Sequence, residues 1–360
     1  MGGTERVAVT IANAAALRGC DVHLVCGRAE GPYLDQVLAS VTVVDLGVRR
    51  FRWALLPLVR YLRRQSPRVT MAMLTQANLL TLVASLLSRY PGRLVVNERS
   101  TLSAAETDPV AAWQRVAPGL ARRWYGRADA IVAVSLGVAD DLVRRLGLPP
   151  QSVTVIPNPV DLEALRSQAS QPCDHPWLAG GGPPLVLYVG RLSPEKDLAT
   201  LLHAFSVVRR RIPARLLLLG EGPERHELQR LTDSLDLRAF VDAPGFVQNP
   251  YAYMARASLL VLSSRYEGWP NVLVEAMAVG CPVVATDCPS GPREILDGGS
   301  RGSLVPVGDV QALADALTMT LAGDLTWDGL TAHVETWSTD RVLARYLEVL
   351  GCECGSGVTS

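Results

Sequence analysis

Short apolar runs, each emptying through a turn into a helix-spaced stripe, recur along this sequence and restrict its fold more than any other feature. PLVLYVGRL, ARLLLLGEGP and ASLLVLSS are strand-length and do not alternate with polar residues, so they read as strands covered on both faces. The segments after them, LATLLHAFSVVRRRIP, ERHELQRLTDSL and NVLVEAM, space their apolar residues as helices do. Strand alternating with helix predicts an α/β fold with parallel sheets. The alternation lapses once, at SQASQPCDHPWLAGGGPP, residues 167–184, where Gly, Pro and polar residues show no period, and then restarts. The expectation is two Rossmann-like domains facing across a cleft, over 1–166 and 185–335, joined by that linker. A last helix within 336–350 is expected to pack back on the first domain. With 360 residues, 48% of them apolar, there is enough material for two cores.

The first half opens with a helix, RVAVTIANAAALRG, that stops at Gly19, and continues through strands DVHLVC and VTVVDLG. A Gly-Gly turn opening a helix normally follows a strand, so that its amides can meet a phosphate or acceptor. Only Met1 precedes Gly2 and Gly3. A first strand, central in a doubly wound sheet, is therefore expected to be missing. The stretch from Val69 to Ser88 has no charge but parses as a strand and a helix rather than a membrane span. RLVVNERST then runs a strand into a polar loop, and a helix is expected over Val110 to Tyr125.

Charge is even overall, with 35 basic and 35 acidic residues, but uneven along the chain. Residues 1–170 hold 20 Arg against 13 acids, and residues 171–360 hold 14 Arg and one Lys against 22 acids. The first half therefore faces something anionic, a membrane surface or a phosphorylated acceptor. Nucleic acid is disfavoured, since no basic stripe interleaved with aromatics appears. RRFRWALLPLVRYLRRQSP, Arg49 to Pro67, reads as a helix with Trp53, Leu55, Leu56, Val59 and Leu62 inward and Arg49, Arg50, Arg52, Arg60, Arg63 and Arg64 around the rim. That pattern fits an anionic membrane contact through Arg49–Arg64, and equally an Arg-rich crossover helix. Seven scattered cysteines without a CxxC pair read as a reduced, cytoplasmic chain with no structural metal.

Two stretches carry chemistry. In SSRYEGWPNVLVEAM, Ser263 to Met277, a buried strand leads through a Gly-Trp-Pro turn into a helix that Asn271 would cap. Glu267 ends the strand and Glu275 lies about one turn inside the helix, so both carboxylates can face the crevice where open α/β sheets bind ligands. Gly268 admits a ligand to the backbone, and the amides of Trp269, Asn271 and Val272 suit an anionic or hydroxyl-rich guest. The alternative is that Glu267 merely pairs with Arg265 and Glu275 is an exposed helix residue. In GRLSPEKD, Arg191 leaves a strand through a glycine and Lys196 opens a helix, so two cations can converge on one diphosphate. Lys196 is the sole lysine beside 34 arginines, a departure that fits a compact point charge. Asn97, Glu98 and Arg99, at another strand end, could orient an acceptor hydroxyl or meet its phosphate, or could simply tie the loop down.

GRLSPEKD, LLLLGEGPERHEL, APGFVQNPYAYMARA, SSRYEGWPNVLVEAMAVGCPVVATDCPSGPREIL and the opening GGTERV together resemble the retaining glycosyltransferases of family 4, the group 1 glycosyltransferases of GT-B fold. The likeness covers nearly the whole chain and is densest from Pro184 to Val307. NERST and DCPSGPREIL further resemble members acting in surface-polysaccharide and lipid-linked oligosaccharide assembly.

The resemblance implies transfer of a sugar, with its anomeric configuration kept, from a nucleotide-sugar donor to a lipid-linked or polysaccharide acceptor. The donor would be a UDP-linked hexose or N-acetylhexosamine. Arg191 and Lys196 would hold the diphosphate, and Glu275 the ribose. Glu267 and the amides of Gly268 to Val272 would hold the sugar, with Gly245, Phe246 and Val247 bordering the base. Gly2 and Gly3 would lie beneath phosphate or acceptor. Many relatives place a His in the first domain's crevice; none of His23, His175, His203, His226 and His333 sits at such a strand end, so Glu98, as a catalytic group, and Arg99 are the substitutes. No metal or other cofactor is expected, and the place of work would be the cytoplasm, peripheral to the inner face of the plasma membrane. A sugar-nucleotide epimerase or hydrolase of similar fold, and a nucleotide-sugar-binding protein without catalysis, stay open as alternatives.

Overall fold

The computed structural model describes residues 3–31, 33–103, 116–178 and 181–352. The chain divides into two compact units, the first formed by Met1–Pro159 with Trp337–Ser360 and the second by Val160–Thr336. The first contains β1 (Val22–Cys26), β2 (Val41–Asp45), β3 (Val69–Met73), β4 (Arg93–Glu98), β5 (Ala130–Ala133) and β6 (Val153–Val155). All their pairings are parallel, in two separate sheets, β1-β2 and β3-β4-β5-β6. β1 and β3 both stand at sheet edges, and the helix Gly3–Leu17 packs Val7, Ile11 and Ala15 in one cluster with Val22 of β1 and Val69 and Met71 of β3.

The helix Thr339–Leu350 belongs to this unit. It adds Val342, Leu343, Tyr346 and Leu347 to the same cluster. Arg18 meets Asp340 at 2.9 Å, and Arg345 donates to the Val155 carbonyl at 2.6 Å. Between Val69 and Ser88 the chain is β3 followed by the helix Thr75–Ser88, and no helix among the described residues is long and apolar enough to cross a membrane.

The expected linker is not one. The boundary falls between Pro159 and Val160, and 160–178 belongs to the second unit. Asp161 caps a helix over Leu162–Ala169 by accepting from the Ala164 amide at 3.0 Å. Asn249 Nδ2 donates to the Gln168 carbonyl at 2.8 Å, and His175 Nε2 lies 3.0 Å from Asp242. The stretch lacks a periodic pattern of its own, but these side-chain hydrogen bonds tie it to the rest of the second unit.

The second unit is one six-stranded parallel sheet of β7 (Leu185–Val189), β8 (Arg215–Leu219), β9 (Val241–Gly245), β10 (Leu259–Leu262), β11 (Val283–Thr286) and β12 (Ser303–Val305). The order is β12-β11-β10-β7-β8-β9. From β7 the chain builds outward through β8 and β9, then returns to lay β10, β11 and β12 on the other side. The strand order therefore reverses between β7 and β10, where an open sheet leaves a crevice at its carboxyl edge. Helix Leu198–Arg211 seals one face, packing Leu201, Leu202, Phe205 and Val208 with Val186, Tyr188, Leu216 and Leu218.

Candidate active site

The loops at the carboxyl ends of β7, β8 and β9 are laced together by backbone hydrogen bonds. Gly190 N–H donates to the Leu219 carbonyl at 3.0 Å, Leu192 N–H to Glu221 at 3.0 Å and Gly220 N–H to Gly245 at 2.9 Å. Across the reversal point, Arg265 N–H donates to the Glu195 carbonyl at 2.8 Å and Ser263 Oγ to the Lys196 carbonyl at 2.7 Å. The turn after β7 and the end of β10 are thus one structure.

At their junction Lys196 Nζ donates to Glu267 Oε1 at 2.6 Å, and Ser264 Oγ donates to the same oxygen at 2.7 Å. The two charged side chains are only 20% and 11% exposed. Burial alone would hold Lys196 down, but the adjacent Glu267 carboxylate outweighs it and the ammonium titrates above its ordinary range. The neighbouring Cys288 thiol is pushed up to about 12, chiefly by burial and then by the charge of Glu267, so it stays protonated and offers no nucleophile. Arg265, the alternative partner of Glu267, instead meets Asp197 at 3.2 Å.

The turn beyond Glu267 is held by hydroxyls that the sequence reading passed over. Ser290 Oγ donates to the Glu267 carbonyl at 2.7 Å, and Thr286 Oγ1 to the Ser264 carbonyl at 2.6 Å. The signal was there, since Ser263, Ser264 and Thr286 are polar residues at the very ends of apolar strands. Gly268 and Trp269 are buried, and Asn271 and Val272 half-buried. Pro270, not Asn271, takes the cap position, and Asn271 is the first residue of the helix Asn271–Ala278. Glu275, in its second turn, is buried at 6% exposure rather than solvated. Arg191 is exposed in the turn after β7, its carbonyl accepting from Tyr188 Oη at 2.9 Å. Gly245 ends β9 and is buried, with Val247 half-buried and Phe246 exposed beside it.

In the first unit, Glu98 does not stand open to an acceptor. It is wholly buried; Oε2 accepts from Tyr125 Oη at 2.6 Å and Oε1 from Thr75 Oγ1 at 2.8 Å and the Arg99 amide at 3.2 Å. Burial raises its proton affinity, and those hydrogen bonds offset part of the rise. Its place in β4 points it under the helix Thr75–Ser88, whereas strand-end position alone had suggested the crevice. Arg99 is buried and bonds Tyr346; burial holds its guanidinium below the usual range. Gly3 begins the first helix, and Gly2 lies outside the described residues, as do residues 104–115; of the helix expected over Val110–Tyr125, the described part is helical over Ala117–Trp124. Among the described residues no group of three or more His, Cys, Asp or Glu is placed to hold a metal ion.

Two family models match the chain in sequence, the glycosyltransferase family 4 domain over residues 1–164 and the glycosyl transferases group 1 domain over residues 183–322. The chain belongs to this glycosyltransferase family, and its fold is GT-B, two Rossmann-like units. It is 34% identical over 200 residues to the N-acetylgalactosamine-N,N'-diacetylbacillosaminyl-diphospho-undecaprenol 4-alpha-N-acetylgalactosaminyltransferase of Campylobacter jejuni, covering 56% of this chain and 53% of that protein. Against several relatives, this one included, the chain spans about half of the relative's length or less. With the lipopolysaccharide core biosynthesis glycosyltransferase LpsE of Rhizobium meliloti the identity is 27% over 359 residues, 97% of this chain and 96% of that one. Among solved structures, Anabaena HepE in complex with UDP and glucose superposes with a TM-score of 0.78 at 23% identity, covering 98% of this chain and 96% of HepE. The apo lipopolysaccharide outer core galactosyltransferase WaaB gives 0.73 at 19% identity, covering 98% of this chain and 96% of WaaB.

Proposed function

We propose that this chain is a retaining glycosyltransferase that moves a hexose or N-acetylhexosamine from a UDP-linked donor to a lipid-linked or polysaccharide acceptor. The observation that carries the reading is the Lys196–Glu267 pair at the strand-order reversal, where the turns after β7 and β10 bring a cation for phosphate against a carboxylate for sugar hydroxyls. The UDP found with HepE and the diphospho-undecaprenol in the name of the Campylobacter relative support the donor and acceptor classes. In the reaction the bond between the anomeric carbon and the phosphate oxygen breaks while the acceptor oxygen bonds to that carbon on the same face. The leaving phosphate takes the acceptor proton. Arg191 and Lys196 offset the charge that develops on the diphosphate, the part a divalent cation plays elsewhere. Glu267 and the amides of Gly268, Trp269, Asn271 and Val272 hold the sugar, Glu275 the ribose hydroxyls, and Gly245, Phe246 and Val247 border the base. Incubation with UDP-glucose, UDP-galactose and UDP-N-acetylhexosamines and an undecaprenyl-diphosphate-linked saccharide should yield an α-linked product with EDTA present. Hydrolysis or epimerisation without any need for acceptor would refute transfer.

The acceptor side adds a membrane contact to this reading. From Leu46 to Asn97 the sequence has nine arginines and no acid. Within it, Trp53 and Leu56 were expected inward, yet they are 64% and 62% exposed, with Phe51 at 43%; Leu58, Val59 and Leu62 fill the buried side of the helix Leu55–Gln65. Exposed apolar rings beside Arg60, Arg63 and Arg64 fit an anionic lipid surface, each arginine near it contributing roughly 1 kcal/mol. In co-sedimentation with phosphatidylglycerol vesicles at low salt, wild type should pellet and the triple variant Arg60→Gln, Arg63→Gln, Arg64→Gln should stay in solution. A wild type that ignores the vesicles ends the idea.

A further inference from the structure

We propose that the Lys196–Glu267 pair makes the site discriminate a nucleotide-sugar from the spent nucleotide, so that the product leaves readily once the sugar is gone. The proposal rests on the donor assignment above and concerns how that site works.

Glu267 Oε1 takes both Lys196 Nζ at 2.6 Å and Ser264 Oγ at 2.7 Å, so each charged group has its strongest bond committed to the other or to the turn. Both are largely shielded from water, and Ser264 is wholly buried. A diphosphate that reaches Lys196 draws the ammonium toward itself. Glu267 is then left as a poorly hydrated carboxylate, answered by Ser264 alone and close to new negative charge, which is costly. A free nucleoside diphosphate gives nothing back for that loss. A nucleotide-sugar does, because its hydroxyls donate to the carboxylate oxygen that Lys196 gives up. The same pair therefore opposes the product and is compensated by the donor, an interaction realised only while sugar is present. Ser264 acts as a positioning residue, since its hydroxyl fixes Oε1 and its carbonyl is in turn fixed by Thr286 at 2.6 Å.

The test is calorimetric titration of UDP and UDP-glucose into wild type and Glu267→Gln, with UDP dissociation followed by stopped flow. Glutamine keeps the shape of the side chain but does not hold the ammonium by charge. UDP should bind the variant about tenfold more tightly and leave about tenfold more slowly. UDP-glucose should gain less or lose affinity, so the preference for the sugar-bearing ligand shrinks. Ser264→Ala, which keeps both charges but removes the hydroxyl that answers Glu267, should shift the same ratio in the opposite direction by a smaller factor, weakening UDP more than UDP-glucose, and it serves if the glutamine variant does not fold. Unchanged or weaker UDP binding in Glu267→Gln, unchanged or tighter UDP binding in Ser264→Ala, or equal shifts for the two ligands in either, overturns the proposal while leaving the donor site in place. Wild type that binds neither ligand overturns the UDP donor assignment and the proposal with it.

Discussion

Lys196→Ala is expected to weaken UDP binding by about 2–3 kcal/mol, on the order of a hundredfold. Two losses combine. The charge-assisted bond from Nζ to the diphosphate disappears, and such bonds contribute more than neutral ones. Glu267, 11% exposed and now without its cation, also becomes an unscreened negative charge where the phosphates must sit. Arginine should restore only part of the affinity, because its planar fork cannot reproduce a single ammonium 2.6 Å from one carboxylate oxygen and supported through the Ser263 bond to the backbone of residue 196. Titration of UDP into wild type, Lys196→Ala and Lys196→Arg, each first shown to melt cooperatively, reads the series. Unchanged affinity in the alanine variant removes Lys196 from the donor site.

The two α/β units were legible because buried parallel strands leave unbroken apolar runs and helices leave spaced ones. The family likeness likewise rested on turns whose residues lie at fixed offsets. The placing of Glu267 just past a buried strand and of Glu275 in the helix that follows was legible too. The pairing of Glu267 with Lys196 was not. Lys196 and Glu267 are 71 residues apart, and their contact follows from β7 and β10 being sheet neighbours, a fact of strand order that no local pattern records. Glu98 misled for a related reason. Position at the end of β4 was readable, but which way the side chain turns depends on Tyr125 and Thr75, brought in by two other helical segments. Trp53 and Leu56 misled in the opposite sense: Trp53 lies in a 3-10 turn over Phe51–Ala54, out of phase with the helix after it, and Leu56, inside that helix, falls beside the face that Leu58, Val59 and Leu62 bury. The segment 167–178 was read from composition, which reports what the backbone could do alone and is silent on His175 and Asn249 bonding it to the second unit.

Gly220→Ala should abolish or cripple the second unit, with a loss of about 4 kcal/mol or more in unfolding free energy. Gly220 sits at φ 143°, a region that side chains rarely enter, and a Cβ built there falls far inside van der Waals contact distance of the Gly190 carbonyl oxygen. That oxygen belongs to backbone, not to a flexible side chain, so it can move only if the turn after β7 moves with it. The turn is held by the bonds from Gly190 to Leu219 and from Leu192 to Glu221, and Gly220 itself is held by its own bond to Gly245. Gly147→Ala supplies the control. Gly147 also has positive φ, 68°, and ends the helix Leu136–Leu146, but a Cβ there meets nothing within 4 Å, so only backbone strain of about 1 kcal/mol is expected. Urea unfolding of the two variants separates strain from collision. A small and equal loss in both would mean that the strand ends are not packed closely enough to exclude a methyl group. The same close approach of β7 and β8 sets the position of Arg191 and Lys196, so any Gly220→Ala protein that does fold should bind UDP weakly even with every charged residue of the site intact.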